Sequence, residues 1–102
     1  MNEQRLYLME NSAQLRKIGV AKNPLTRKRQ LELASGQRIK ILKCWETVGV
    51  KALEVERSLH VQYARRRLQG EWFAYIGIPE IEMLSGYDLI ECNHDGSIRR
   101  RT

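Results

Sequence analysis

The stretch RLYLMENSAQLRKIGVA, residues 5–21, decides the architecture. Apolar, aromatic and β-branched side chains run through 5–10 and again through 16–21, with Asn11-Ser12-Ala13 as a polar break between them, so the pattern predicts a β-hairpin with a three-residue loop. Centring that loop on Ser12 sets Leu6 opposite Ile18 and Tyr7 opposite Lys17. Directly opposed residues of an antiparallel pair project from the same side of the sheet, which makes Tyr7 and Lys17 neighbours.

Working outward, Asn23-Pro24 predicts a helix start, because the Asn side chain accepts a backbone N–H and proline suits the first helical position. Gly36 marks its stop. Arg27, Leu31 and Ala34 recur at helical spacing and place Arg27 on the stripe that meets the sheet, while Leu25 and Leu33 fall off it and Lys28 and Arg29 point elsewhere. In 38–48, Ile39 and Ile41 alternate with Lys40 and Lys43 before Trp45, which predicts a third strand. A second helix is predicted over 50–68. Its stripe holds Ala52, Leu53, Leu59 and Tyr63, and at 100° per residue Glu56 and His60 fall inside it, whereas Glu54, Ser58 and Arg65 fall outside. A carboxylate within a core-facing stripe needs a partner or a cation. Gly70 ends that helix, 71–76 reads as a short strand and 79–84 as a short helix. Asn93-His94-Asp95-Gly96 is a turn signal leading into the basic run Arg99-Arg100-Arg101. The division is one α/β (α+β) domain over 1–92 and a basic C-terminal tail over 93–102.

A chain of 102 residues, 42% hydrophobic and 29% charged, is sized for one modest core. No apolar run approaches the ~20 residues of a bilayer span. The N-terminus lacks a secretory signal, which makes the cytoplasm the expected compartment. Cys44 and Cys92 form no CxxC pair, so two reduced thiols without assigned chemistry are expected. The net charge of +6 attracts polyanions, nucleic acid first among them.

The ordered set Tyr7, Lys17-Ile18-Gly19, Asn23-Pro24 with Arg27, Glu56 and Gly70-Glu71-Trp72-Phe73 resembles the GIY-YIG endonuclease superfamily, most closely a compact branch frequent among phage and prophage proteins. The resemblance covers roughly 5–73. Lys17 stands where the second motif usually begins with tyrosine. The likeness implies a small antiparallel three-stranded sheet flanked by helices and a metal-dependent endonuclease acting on DNA. It carries the motif tyrosine to Tyr7, the motif arginine to Arg27 and the metal-binding glutamate to Glu56, whose ion would be Mg2+ with Mn2+ as the alternative.

Phosphodiester hydrolysis needs a deprotonated water, cations around the transition state and stabilisation of the departing oxygen. On this reading Tyr7 accepts the proton from water, favoured as phenolate by the Lys17 charge. Arg27 grips the phosphate in bidentate fashion. Glu56 holds a single hard cation, and His60, one turn on, orients a water or protonates the leaving oxygen. Lys22, Arg29, Arg65, Arg66 and Arg67 are candidate backbone contacts. Plainer readings stand beside these. The Tyr7–Lys17 pair can be packing, Arg27 can pair with Glu56, Glu56 with His60 can be half a zinc site, and 65–67 can be a charged helix end. Two other functions are a catalytically inactive nucleic-acid-binding module on this scaffold and a phage-derived protein that targets a host protein.

Overall fold

The computed structural model describes residues 4–84 and 86–98. Strands β1 (Arg5–Asn11) and β2 (Arg16–Ala21) form the hairpin, followed by α1 (Pro24–Ser35), β3 (Ile39–Thr47) and α2 (Ala52–Gln62). A 3-10 turn over Ala64–Arg66 leads to β4 (Arg67–Gln69), β5 (Trp72–Phe73), α3 (Ile78–Leu84) and β6 (Leu89–Glu91). Among the described residues the sheet has six antiparallel strands in the order β4-β5-β2-β1-β3-β6, not the three expected. The additional strands have three residues or fewer and extend the two edges of the β2-β1-β3 centre.

Central β1 is covered on both faces, so its apolar residues run without a break from Leu6 to Met9. Leu6 and Leu8 join Ile18, Trp45, Val55, Leu59 and Phe73 on one face. Tyr7 and Met9 join Ile39, Ile41 and Cys44 on the other, where Leu25 and Leu31 of α1 pack. A bulge in β3 reconciles the two sets. Leu8 lies opposite Lys43 while Met9 lies opposite Ile41, so Leu42 is the extra residue and the side-chain alternation resets before Trp45.

Three expectations are corrected in detail. The hairpin register differs by two residues, with Tyr7 opposite Gly19 and Met9 opposite Lys17. The cause is Asn11, whose Oδ1 accepts the Ala13 and Leu15 amides at 3.0 Å each and organises a loop with Gln14 at φ 63°. The second helix ends at Gln62, so Arg65 and Arg66 lie on the 3-10 turn and Arg67 begins β4. Finally, 93–98 folds back onto the domain: the Leu25 amide donates to the His94 carbonyl at 2.9 Å, and Arg5 Nε donates to the Gly96 carbonyl at 2.9 Å. The run Arg99-Arg100-Arg101 lies outside the described residues. Among the described residues no helix is long and apolar enough to cross a membrane.

Candidate functional site

Tyr7 sits in the middle strand with 1% of its surface exposed. Its ring lies across Gly19, where a Cβ would collide with the Tyr7 hydroxyl and ring. Glycine at that position is therefore what lets the phenol lie flat on β2. Arg27 reaches the same phenol from the first turn of α1. That turn is fixed by Asn23, whose Oδ1 accepts the Thr26 amide at 3.1 Å and whose carbonyl accepts the Arg27 amide at 3.1 Å. Burial pushes the Tyr7 pKa above its ordinary value, and the Arg27 guanidinium opposes that shift without cancelling it. The positive charge acting on Tyr7 is thus Arg27, where the sequence suggested Lys17.

Lys17 is buried, its side chain 7% exposed, and it forms an ion pair with Glu71, whose side chain is 61% exposed. Its ammonium also stands 5.9 Å from the centre of the Trp72 ring. The hydrogen bond and charge of Lys17 hold the Glu71 carboxyl below its ordinary pKa. A lysine buried in a strand requires such a partner. Glu71 is 54 residues away in sequence, and only the neighbouring motif residues hinted at it.

Glu56 is half-buried on α2, as its place in the stripe suggested, beside buried Ala52, Val55 and Leu59. Desolvation raises its pKa. His60 and Lys17 favour the carboxylate, while Glu71 disfavours it. Among the described residues Glu56 takes no hydrogen bond or salt bridge, so the pairing with Arg27 does not form. His60 Nε2–H donates to the Ile18 carbonyl at 2.8 Å, and its ring lies 5.3 Å from that of Phe73. This bond leaves only Nδ1 to meet a water or a phosphate. Tyr7, Lys17, Arg27, Glu56, His60 and Glu71 are thereby brought into mutual electrostatic reach.

The outlying cations divide. Arg29 and Arg65 are exposed, and exposed Lys22 lines a cleft with Asn23, Thr26, Arg27 and Gln30. Arg66 is committed to the Tyr75 carbonyl at 3.0 Å and to Glu80 at 3.1 Å, and Arg67 stands over Phe73 at 5.4 Å. A second cleft over Glu10, Lys28, Glu32, Arg38 and Lys40 lies away from the cluster. Its acids are already paired, Glu10 with Arg16 and Lys40, and Glu32 with Lys28.

Among the described residues no group of three or more His, Cys, Asp or Glu side chains suited to a metal occurs, and Glu56, whose carboxylate is partly desolvated and takes no hydrogen bond or salt bridge from them, is the residue that could hold a cation. Magnesium is commonly held by one or two carboxylates, with waters and substrate oxygens completing its shell.

The model of the T5orf172 domain matches residues 4–91. No curated protein and no solved structure matches the chain. The match corrects the resemblance to the GIY-YIG superfamily: T5orf172 is a different family, and no GIY-YIG model matches. The phage association drawn from that resemblance falls with it. The motifs behind the resemblance are short clusters of a few letters, whereas the matching model reads nearly the whole domain.

Proposed function

We propose, from the premise that this chain belongs to the T5orf172 domain family, that it is a divalent-cation-dependent endonuclease hydrolysing phosphodiester bonds in DNA. The family is compatible with a nucleic-acid-related role, and the net charge of +6 favours a polyanionic partner. The observation that carries the reading is Glu56, a half-buried carboxylate with no hydrogen-bond or salt-bridge partner among the described residues, gathered with Lys17, His60, Tyr7 and Arg27.

In this scheme Arg27, at the mouth of its cleft, binds the phosphate through its planar fork. Glu56 would hold Mg2+ or Mn2+, which supplies charge neutralisation at the phosphate oxygens. Lys17, kept in place by Glu71 and Trp72, adds a fixed positive charge beside that carboxylate. Burial keeps Tyr7 a neutral phenol at pH 7, which suits it to orient the attacking water. The proton of that water passes to His60 Nδ1, the ring nitrogen left as an acceptor by the Nε2–H bond to Ile18. His60 braces α2 on β2 through Nε2 and presents Nδ1.

Supercoiled plasmid incubated with protein and Mg2+ should be nicked or linearised, with loss of cleavage in EDTA and in Glu56→Ala. Cleavage that persists in EDTA, or is equal in the variant, refutes the scheme. The raised Tyr7 pKa favours a second reading, a binding module without catalysis. Lys17→Ala separates the two: a nuclease loses cleavage and keeps binding, whereas a binding module has no cleavage to lose.

A further inference from the structure

The hairpin loop, the end of α1 and Trp72 enclose a cleft of about 250 Å³ that the scheme above does not use. Asn11, Ala13, Leu15, Ser35, Gln37 and Trp72 line it. Trp72, Leu15 and Ala13 make part of the lining apolar and aromatic. Its polar groups retain donors. Asn11 uses its Oδ1 on the Ala13 and Leu15 amides, and Gln37 uses its Oε1 on the Ser12 hydroxyl at 3.3 Å, so each carboxamide keeps its NH2 as a donor.

The cleft joins the phosphate-handling cluster through Trp72, since the same indole stands beneath the Lys17 ammonium. We infer that this cleft is a nucleobase subsite, in which an unpaired base stacks on Trp72 while Asn11 and Gln37 donate to its ring or carbonyl acceptors. The inference rests on the nucleic-acid reading and narrows the substrate to strands with unstacked bases.

Three features favour a base over another occupant. An aromatic face beside a fixed cation is the combination that single strands use, with bases on rings and phosphates on positive charge. Carboxamide donors match the ring-nitrogen and carbonyl acceptors of bases. Spacing supplies the third. Tyr7 and Asn11 share a face of β1 four residues apart, about 13 Å at the strand rise. A stacked strand rises only ~3.4 Å per nucleotide, so the base in the cleft belongs to a nucleotide a few steps from the phosphate at Arg27 and reaches it from an opened strand.

Trp72 also supplies the readout, because the only other tryptophan, Trp45, is fully buried and serves as an internal reference. The test titrates the full chain in EDTA with a short single-stranded thymidine oligomer, with the same backbone carrying abasic sites, and with a blunt duplex. The thymidine strand should quench Trp72 and bind about tenfold more tightly than the abasic strand, while the duplex binds with little quenching. Trp72→Leu should remove that tenfold advantage, and Trp72→Phe, which keeps a ring beneath Lys17, should keep most of it together with abasic binding, which separates loss of stacking from loss of fold. Equal affinity for thymidine and abasic strands, with unchanged fluorescence, overturns the base subsite and leaves the nucleic-acid reading standing. Failure of every strand to bind overturns both.

Discussion

Gly19→Ala tests the local geometry of the site without assuming any activity. The new Cβ would overlap the Tyr7 hydroxyl and Cζ, and would sit 2.9 Å from Cε1. These atoms belong to a rigid ring in a core residue 1% exposed, so the ring has little room to withdraw. Overpacking of this kind costs about 1–3 kcal/mol. The reduced freedom of the unfolded chain returns about 0.4–1 kcal/mol, which leaves a net loss on the order of 1–2 kcal/mol. The diagnostic is coupling. In a Tyr7→Leu background the obstructing ring is gone, and Gly19→Ala should be neutral or slightly stabilising, giving an interaction of about 1–3 kcal/mol in a double-mutant cycle. Tyr7→Phe should relieve only the hydroxyl overlap and fall between. Urea unfolding followed by Trp45 fluorescence, with the slope held equal across variants, measures each arm. An alanine cost that is the same with tyrosine and with leucine at position 7 would refute the close approach of phenol and β2.

Other predictions concern the charges and α1. Because burial raises the Glu56 pKa, the ionised carboxylate opposes folding at neutral pH. Stability from its protonated form is present below the unfolded carboxylate pKa and disappears as pH rises through the higher folded value. Glu56→Gln should therefore stabilise the protein at pH 7 by about 1 kcal/mol or less, because the carboxylate is only half-buried and solvent screens it, and abolish Mg2+-dependent cleavage, and thermal melts at pH 4 and pH 7 would check that the gain exists only at the higher pH. Glu71 has the opposite sign. Its pKa is depressed by Lys17, so its contribution is present above the unfolded carboxylate value and lost as pH falls through the folded one. The advantage of wild type over Glu71→Gln should begin to fall near the ordinary carboxylate value of about pH 4 and vanish below the depressed folded one, with a difference at pH 7 of about 1 kcal/mol or less because the carboxylate is largely exposed. Asn23→Ala removes the cap on Thr26 and should cost about 1 kcal/mol in denaturant titration. Gly36→Ala should cost a similar amount, since Gly36 ends α1 at φ 70°, where a Cβ is strained.

The sequence made legible those parts of the fold in which pattern and element length agree. Runs of apolar, aromatic and β-branched residues located β1 and β2, alternation located β3, and Asn23, Pro24 and Gly36 bounded α1 as the structure has it. Of the short edge strands, β5 lies within the strand read at 71–76, while β4 and β6 were hidden because three residues hold no period. The β3 bulge was hidden because one extra residue, Leu42, resets the alternation without a glycine to announce it. On α1 the stripe of Arg27, Leu31 and Ala34 agrees at Leu31, which packs on the sheet, and at Arg27, which reaches the Tyr7 phenol, whereas Ala34 is exposed and Leu25, read as off the stripe, makes the contact. In the site, Glu56 was legible from its helical phase alone. The partner of Lys17 was not, because an ion pair spanning 54 residues leaves no periodic trace. The hairpin register turned on the Asn11 side chain holding two loop amides, a contact that loop length does not reveal.

The bond from the Leu25 amide to the His94 carbonyl makes the order of synthesis matter. A nascent chain that has left the ribosome only as far as β3 already possesses both hairpin strands and the arginine-bearing helix, yet it lacks the late-arriving carbonyl that pins the helix entrance, and Gly96, on which Arg5 closes, has not been made. Domains fold as units once their closing segments emerge. Premature termination before that turn would thus yield a product whose Arg27 is present in composition but unanchored in space.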